Sequence, residues 1–468
     1  MQSSEVPASG RTEASGSMKI IHTADWHFEE ARHRRIAADG IDQGWHDVAG
    51  CLREIVDHAI ASAATEPTVL FFGGDLAKSR KPSPQTYAFV GEQFGRLHAD
   101  GVPIVCLPGN HDLASSGEAN ALDPLAHLPG VHLYNEPGIA YIGGTDAAIV
   151  THGQHPTTAA AIVCVPWLQR SVAAANLPSD TPLEVVLDTM STAALAVIRE
   201  LTAAPLAAGI PTFIGYHGTV LGGRTATGQA AHLFHEPVLS AVDLGNLGVA
   251  GVMLGHLHKR QDIGSSVVGA PPIVYSSSVE RLTFGDESDE KGGVAWTVPS
   301  SIGQAAEYSW IDTNARPFVT VTEPPVGIWA FQDAIVRVRL ADVGEEFEPA
   351  AMERLLLDAG AHKVTEVVVD TGDQRVEHAA ADLARTDPLE ALAEWIAVEH
   401  PDITAEERAL LMDDASRLLG LAPEHDFKGG EDDATQPVTP AVTGVVAGEA
   451  DGAPATADVD PHVLTLTA

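Results

Sequence analysis

The chain has 468 residues and a formal net charge of −37, from 27 Lys and Arg against 64 Asp and Glu. This length predicts two or three domains, and a hydrophobic content of 45% is typical of a globular protein. The chain lacks the apolar run of about 18 residues that a transmembrane helix needs, and its three cysteines are too few for a disulfide scaffold or a cysteine-based zinc cluster. We therefore expect a cytoplasmic protein with no membrane attachment.

The first part of the chain predicts an α/β domain. Residues 1–17 are polar, lack the apolar segment of a signal peptide, and are expected to form a disordered extension. From Met18 onward, short runs rich in Val, Ile and Phe alternate with segments whose apolar residues recur at helical spacing. The runs, which predict buried strands, are KIIHTA, TVLFFGG, PIVCLPG, AIVCVP, TFIGY and GVMLG. Alternating strands and helices predict an α/β domain over residues 18–286.

The rest of the chain predicts a second domain, a helix pair and a tail. Residues 287–385 contain the strand-like runs GGVAWTVPS, FVTVTE, AIVRVRL and KVTEVVVD and the helical run PAAMERLLLDAG, which together predict a small α+β domain. Residues 386–421 contain two amphipathic helical segments. Two isolated helices of this length are marginally stable and should pack against each other or against a partner. Residues 422–468 are acidic, lack periodicity and are predicted to be disordered.

Side chains that commonly bind metal ions follow five of the predicted strands. They are Asp25 and His27, Asp75, Asn110 with His111 and Asp112, His217, and His256 with His258. In α/β sheets, ligands bind beyond the carboxyl ends of the strands. Aspartate, imidazole and amide oxygen suit divalent ions such as Mn²⁺, Fe²⁺ or Zn²⁺. The seven ligand groups other than His111 and Asp112 are too many for one ion, and they favour two ions that share one carboxylate.

Each of these residues, taken alone, is more often a hydrogen-bonded turn residue than a metal ligand. GGDLAKS also partly matches a phosphate-binding loop, but Ala77 stands where that motif requires the glycine before lysine. Because all five groups follow an apolar run, a dinuclear metal site explains the pattern better than five unrelated turn residues. Asp75, at a tight Gly-Gly-Asp turn, is the natural bridging carboxylate. The net negative charge of the chain argues against a broad basic nucleic-acid-binding face. Bound metal ions would, however, supply positive charge locally.

Three motifs carry a resemblance to a known family: HTADWHF, GNHD and YSSSVERLTFGDE, the last at residues 275–287. With them, residues 18–420 resemble the calcineurin-like metallophosphoesterase superfamily and, more narrowly, SbcD-type DNA repair nucleases, bacterial relatives of the meiotic-recombination-eleven nuclease. The resemblance implies a four-layer α-β-β-α sandwich with a small α+β capping domain and a C-terminal helix pair. Two positions depart from the family pattern, namely Lys78, where some relatives have a histidine, and Ser277, where glycine is usual.

The resemblance also assigns roles to the candidate residues. It implies that one ion is held by Asp25, His27, Asp75 and His258, and the other by Asp75, Asn110, His217 and His256, with Mn²⁺ as the expected metal. His111 would be the catalytic histidine, close to the scissile phosphate. Asp112 would orient His111, although a role as a turn cap is equally compatible with its position. Lys78 would either contact phosphate or face solvent.

The implied function is two-metal hydrolysis of DNA phosphodiester bonds at ends or hairpins, as an exonuclease or endonuclease. The implied partners are DNA, an SbcC-like ATPase bound through residues 386–421, and a second copy of the chain, with residues 45–64 as a candidate dimer interface. The alternative for the helix pair is intramolecular packing of the two helices on each other. Two alternatives remain open at the level of function: a metallophosphoesterase acting on small phosphodiesters, and a non-catalytic DNA-end scaffold.

Overall fold

The structure is a computed structural model. It describes residues 18–29, 35–113, 119–145, 148–169, 177–178, 181–225, 236–323, 331–341, 347–370 and 412. Contacts divide the chain into two compact units, residues 1–370 and residues 371–468. The predicted helix pair, apart from Met412, and the predicted acidic tail lie outside the described residues.

The first sheet contains six strands within the described part of the chain. In spatial order they are β15 (Glu307–Asp312), β14 (Gly292–Thr297), β1 (Lys19–Thr23), β2 (Thr68–Phe72), β3 (Ile104–Cys106) and β4 (Val131–Leu133). Strands β1 to β4 are parallel, whereas β14 pairs antiparallel with both β1 and β15. The carboxyl ends of β1, β2 and β3 therefore lie at one edge of this sheet.

The second sheet contains seven of the described strands. In spatial order they are β12 (Gln261–Asp262), β13 (Ile273–Tyr275), β11 (Gly251–Gly255), β8 (Thr212–His217), β7 (Thr158–Val165), β5 (Gly138–Gly143) and β6 (Ile149–Thr151). Strands β13, β11, β8 and β7 are parallel. Two short parallel strands, β9 (Thr219–Val220) and β10 (Val238–Leu239), pair beside this sheet.

Helices cover the outer faces of both sheets. Helices α1 (Gln43–Ala63) and α2 (Pro84–Ala99) share a core with the first sheet. Helices α3 (Leu183–Ala207) and α4 (Ala241–Gly245) share another core with the second sheet. A third core, which includes Trp296, fills the space between the sheets. These layers confirm the predicted α-β-β-α sandwich.

The amino-acid sequence explains where α1 begins and which of its faces is buried. Asp42 caps the helix, because its side chain accepts a hydrogen bond of 2.8 Å from the backbone N–H of Gly44. Val48, Leu52 and Ile55 recur at helical spacing and are fully buried against the first sheet. Burying each such side chain contributes about 1.5–3 kcal/mol to stability. The apolar face of the helix predicted as a dimer interface is thus occupied by the protein core.

A smaller parallel sheet follows the sandwich. It consists of β16 (Phe318–Val321), β17 (Ile335–Ala341) and β18 (Lys363–Asp370), with helix α5 (Pro349–Asp358) between the last two strands. Leu356 of α5 packs with Val336 and Val338 of β17 in a core of its own. The βαβ arrangement of AIVRVRL, PAAMERLLLDAG and KVTEVVVD is therefore present as a compact layer.

One strand assignment from the sequence was wrong. GGVAWTVPS was placed in the small second domain, but β14 pairs with β1 in the first sheet, with Val294 opposite His22. The first sheet thus continues to Asp312, beyond the boundary predicted at residue 286. The reason is that β14 is apolar and buried over almost its whole length, which suits a central strand. Its position next to β15 and β16 along the chain does not show that it pairs with β1.

Candidate metal centre

The two sheets bring the predicted ligand residues to one place. Asp25 and His27 follow β1, Asp75 follows β2, and Asn110 follows β3 in the first sheet. In the second sheet His217 ends β8, and His256 and His258 follow β11. The carboxyl ends of parallel strands from both sheets therefore converge, as expected for ligand sites in α/β proteins.

Several candidate ligands adopt backbone conformations that are unusual for residues other than glycine. Asp25, His27, Asp75 and His256 have φ angles of 55°, 46°, 63° and 100°. Such conformations cost of order 1–3 kcal/mol each and persist only where the surrounding structure imposes them. Here the loops hold one another, since the backbone N–H groups of Asp25 and His27 donate to the carbonyls of Gly74 and Asp75. The strain is concentrated in the turns that aim these side chains inward.

A first cluster is formed by side chains from the segments that follow β1, β2 and β11. Nε2 of His27 lies 2.9 Å from Nε2 of His258 and 3.4 Å from Oδ2 of Asp75. The ligand-type atoms of Asp25, His27 and His258 all lie within 4.8 Å of one another. The structure therefore brings together the four residues assigned to the first ion, and it also places Asp25 and Asp75 close to His217.

A second cluster lies on the other side of Asp75. Oδ1 of Asn110 is 3.1 Å from Nε2 of His217 and 3.1 Å from Nδ1 of His256. Oδ2 of Asp75, which faces His27, also lies 3.5 Å from Nε2 of His217. One carboxylate oxygen therefore faces both clusters, in the position that a bridging ligand would take.

Burial and mutual charge perturb the ionisation of these groups. Burial raises the pKa of Asp25 to about 8 and lowers the pKa of His258 to about 3. Burial would also lower the pKa of His217, but the carboxylate of Asp75 raises it to about 9. Burial likewise opposes ionisation of Asp75, yet His217, His27 and His111 hold the pKa of its carboxyl group well below the usual range.

The donor set fits divalent metal ions. Two buried carboxylates, an amide oxygen and four imidazoles converge at the two clusters, which is the chemistry that divalent first-row ions prefer. Cations would supply the positive charge that two buried acids lack, and would reverse the tendency of Asp25 to remain protonated. Because its pKa is raised, His217 keeps a proton that a metal ion would have to displace. We therefore expect metal binding to release protons.

His111 lies at the edge of both clusters. Its backbone N–H donates a hydrogen bond of 2.9 Å to Oδ1 of Asp75, and its Nδ1 lies 2.9 Å from the carbonyl oxygen of Lys78. A carbonyl oxygen only accepts, so Nδ1 must carry the proton. Nε2 is then the ring nitrogen available to the cleft that His111 lines.

The predicted contact between Asp112 and the His111 ring is wrong, because that ring is held by the Lys78 carbonyl. The Asp112 carboxylate instead accepts hydrogen bonds from the backbone N–H groups of Asp75 at 2.7 Å and of Leu76 and Gly109 at 2.9 Å. Burial raises the pKa of Asp112 to about 7, with the nearby Asp75 charge adding to the effect. Asp112 therefore holds the loop that carries the shared carboxylate, which is the turn-cap alternative.

A cleft of about 300 Å³ opens onto the clusters. It is lined by Asp75, Asn110, His111, Thr225, Glu236, His256, Leu257, His258, Thr283 and Asp286. Lys78 lies outside this lining, and its exposed ammonium group pairs with Glu29 at 3.3 Å. Its side chain thus faces solvent, the second of the two alternatives considered from the sequence.

Sequence reasoning missed two residues beside His256. The Trp167 ring lies 5.0 Å from the His256 ring, centroid to centroid. Trp167 follows β7 in the sequence VPW, so the rule that site residues follow parallel strands could have found it. Oε1 of Glu236 lies 3.1 Å from Nε2 of His256. No apolar run or motif precedes Glu236, and only the folded chain shows this contact.

The fold and the site together define an α/β metallophosphoesterase. The sequence profile of the calcineurin-like phosphoesterases matches residues 18–260, which make up just over half of the chain. The chain therefore belongs to the calcineurin-like phosphoesterase family, whose members are metal-dependent hydrolases that typically use two divalent ions. Among the helices of the described residues, none is long and apolar enough to cross a membrane.

Proposed function

We propose that this protein is a dinuclear-metal-dependent DNA nuclease of the SbcD type, which hydrolyses phosphodiester bonds at DNA ends or hairpins. The observation that carries the proposal is the position of Asp75, with one carboxylate oxygen 3.4 Å from His27 and 3.5 Å from His217. That oxygen faces both ligand clusters, and Asp75 lines the open cleft. Two-metal phosphodiester hydrolysis requires two such neighbouring metal sites that substrate can reach.

The segment that carries the narrower resemblance packs against this centre. Within residues 275–287, the Tyr275 hydroxyl donates to the Gly218 carbonyl, directly after His217. Thr283 and Asp286 of the same segment line the cleft. The motif that favours an SbcD-type nuclease over a general phosphodiesterase is therefore part of the site, which supports the narrower proposal.

The surroundings of the cleft also suit a polyanionic substrate. A smaller cavity of about 240 Å³ lies beside the His111 loop, and Lys78, Lys81, Ser79 and Ser83 are among its lining residues. Lysine and hydroxyl groups bind phosphate oxygens along a nucleic-acid backbone without reading sequence. Glu29 also lines this cavity and pairs with Lys78, so a phosphate oxygen that bound Lys78 would have to replace that ion pair.

The roles of the residues follow from their contacts. Asp25, His27, Asp75 and His258 would hold one ion, and Asp75, Asn110, His217 and His256 would hold the other, with Mn²⁺ as the proposed metal. When bound, the two ions would act as Lewis acids and lower the pKa of a water molecule. His111, fixed by the Lys78 carbonyl through Nδ1, presents Nε2 to the cleft. In the doubly protonated form of the ring, Nε2–H would stabilise negative charge on the phosphoryl group or give its proton to the leaving oxygen, and the ring would return to the neutral Nδ1–H form.

The test is cleavage of a linear duplex and of a hairpin DNA by purified protein with Mn²⁺. His111→Ala provides the catalytic comparison, and bis-(nitrophenyl) phosphate provides a small diester. We expect DNA cleavage that requires Mn²⁺ and falls by at least about 100-fold in the variant, since general acid–base groups contribute about 10²–10⁴-fold.

Other results would point to the alternatives. Hydrolysis of the small diester without DNA cleavage, even with an SbcC-type ATPase and ATP present, would indicate a phosphodiesterase of different specificity. DNA binding without hydrolysis, unchanged in His111→Ala and Asn110→Ala, would indicate a non-catalytic scaffold. The proposed ATPase contact lies in residues 386–421, outside the described residues, and the proposed homodimer is a separate question for solution scattering.

A further inference from the structure

Glu236 lines the cleft and contacts His256, a candidate ligand of the second cluster. It directly precedes the segment that contains β10, and its side chain is only 12% exposed. Its two carboxylate oxygens lie 3.1 Å and 3.2 Å from Nε2 of His256. The Thr219 hydroxyl donates a further hydrogen bond to the same carboxylate. The carboxylate is therefore held on one side by β9 and directed at the imidazole on the other.

The two nitrogens of the His256 ring face different groups. Nε2 faces Glu236, whereas Nδ1 lies 3.1 Å from the Asn110 amide oxygen, at the centre of the second cluster. A carboxylate can only accept, so it favours the neutral tautomer with the proton on Nε2. That tautomer leaves the lone pair of Nδ1 directed at the cluster, as a metal ligand requires.

Two other imidazoles of the site direct one ring nitrogen at a backbone carbonyl instead of a carboxylate. Nδ1 of His217 contacts the Gly73 carbonyl at 2.6 Å, and Nδ1 of His111 contacts the Lys78 carbonyl at 2.9 Å. A carboxylate orients the ring in the same way, but its charge also increases the basicity of the opposite nitrogen. A side-chain partner, unlike a carbonyl, can be removed by substitution without changing the backbone.

We propose that Glu236 is a positioning residue for the second metal ion, acting through His256. It fixes the orientation and tautomer of the ring and thereby strengthens binding at the cluster of Asn110, His217 and His256. The cluster of Asp25, His27 and His258 shares Asp75 with it, and its affinity should change less. The proposal rests on the two-ion centre of the proposed function, but not on the identity of the substrate.

The test is calorimetric titration of the metal-free full-length protein with Mn²⁺ alone, without DNA. We expect the wild-type protein to bind two ions. In Glu236→Ala one of the two binding steps should lose about 10- to 100-fold in affinity, the usual effect of removing such a partner, while the other step should change much less. Glu236→Gln should recover part of the loss, because its amide oxygen still accepts from Nε2 but carries no charge.

Controls separate positioning from folding and from general charge. Glu307 lies at the exposed start of β15, far from Glu236 in the sequence. Glu307→Gln also removes one negative charge and should leave both binding steps unchanged. Urea unfolding of the metal-free variants reports any structural effect. Equal loss of both binding steps together with lowered stability, or wild-type binding in both Glu236 variants, would overturn the proposal.

The same titration distinguishes this inference from the proposed function. If the wild-type protein bound no Mn²⁺ or only one ion, the two-ion centre would fail and this inference with it. If the wild-type protein bound two ions and both Glu236 variants bound them with wild-type affinities, only the role of Glu236 would fail. DNA cleavage, measured separately, would then still decide the substrate.

Discussion

Gly109 shows how closely the residues of the site approach the backbone. A Cβ atom at this position would lie 2.1 Å from Oδ1 of Asp75 and 2.5 Å from Cε1 of His217. Real atoms do not approach so closely, so any larger residue would displace the shared carboxylate or the imidazole. The glycine of the GNHD motif is therefore required by packing against two candidate ligands, in addition to the shape of its own turn.

His22 is a buried imidazole next to the site but outside both clusters. It lies in β1, fully buried, with its ring 5.4 Å from the Phe71 ring. Burial lowers the pKa of His22 to about 3, because the charged form is disfavoured away from water. The folded protein must therefore keep this histidine neutral at pH values where the unfolded chain protonates it.

Stability should consequently fall in acid through His22. Between pH 6.5 and pH 3 the unfolded chain binds a proton there that the folded protein does not, so the free energy of unfolding decreases as pH falls. The slope for one proton is about 1.4 kcal/mol per pH unit. His22→Leu should lack this contribution, so its stability curve, from urea unfolding in EDTA, should be flatter by that slope. Parallel curves for the two proteins would contradict the assignment.

At the scale of elements, Lys291 connects the start of β14 to the turn after β11. Its ammonium group is fully buried, 2.6 Å from Oδ1 of Asp286, and donates a hydrogen bond of 2.8 Å to the His258 carbonyl. Burial lowers the pKa of Lys291, but the attraction of Asp286 opposes that shift. This buried pair thus ties the segment that lines the cleft to a turn that carries two candidate ligands.

Removing only the lysine should be strongly destabilising. Lys291→Met leaves the buried Asp286 carboxylate without its cation, which typically costs about 3–5 kcal/mol. The double variant Lys291→Met, Asp286→Asn removes the charge as well and should recover part of that loss. Urea unfolding of the single and double variants forms a double-mutant cycle. Losses that simply add would show that the pair is not coupled.

The residues that sequence patterns singled out at strand ends lie close together in the structure. Asp25, Asp75 and His217 each stand at the end of an apolar run. The structure brings them together because β1 and β2 of the first sheet and β8 of the second sheet end on the same side of the sandwich. The role of Asp112 could not be predicted in this way. Its carboxylate binds backbone N–H groups on two different loops, and a sequence motif does not show which backbone groups a side chain will meet.

At the scale of the whole molecule, the candidate centre and the predicted partner segment occupy different parts of the chain. All seven candidate ligands lie between residues 25 and 258, in the first compact unit. The predicted ATPase-binding helices, residues 386–421, belong to the second unit. Metal binding and partner binding should therefore respond to different substitutions.

A substitution in the predicted helix pair should separate these properties. Leu392→Asp places a charge on the apolar face that the sequence predicts for Leu389, Leu392, Trp395 and Ile396, and burial of an unpaired charge is strongly unfavourable. We expect it to reduce capture of a purified SbcC-type ATPase by at least about tenfold, with Mn²⁺ binding unchanged. Glu394→Gln, a change of a polar residue in the same helix, is the matched control. Capture equal to wild type would contradict the predicted contact.

The sequence alone determined the class of domain, most of its strands and the residue types of the candidate centre, since hydrophobic periodicity and the residues after each strand depend on local order. Only the tertiary structure decided the place of β14 beside β1, the shared position of the Asp75 oxygen, and the contact of Glu236 with His256. Each of these joins segments far apart in the chain. Such contacts depend on how layers pack, and nothing in the local pattern of either segment specifies the partner.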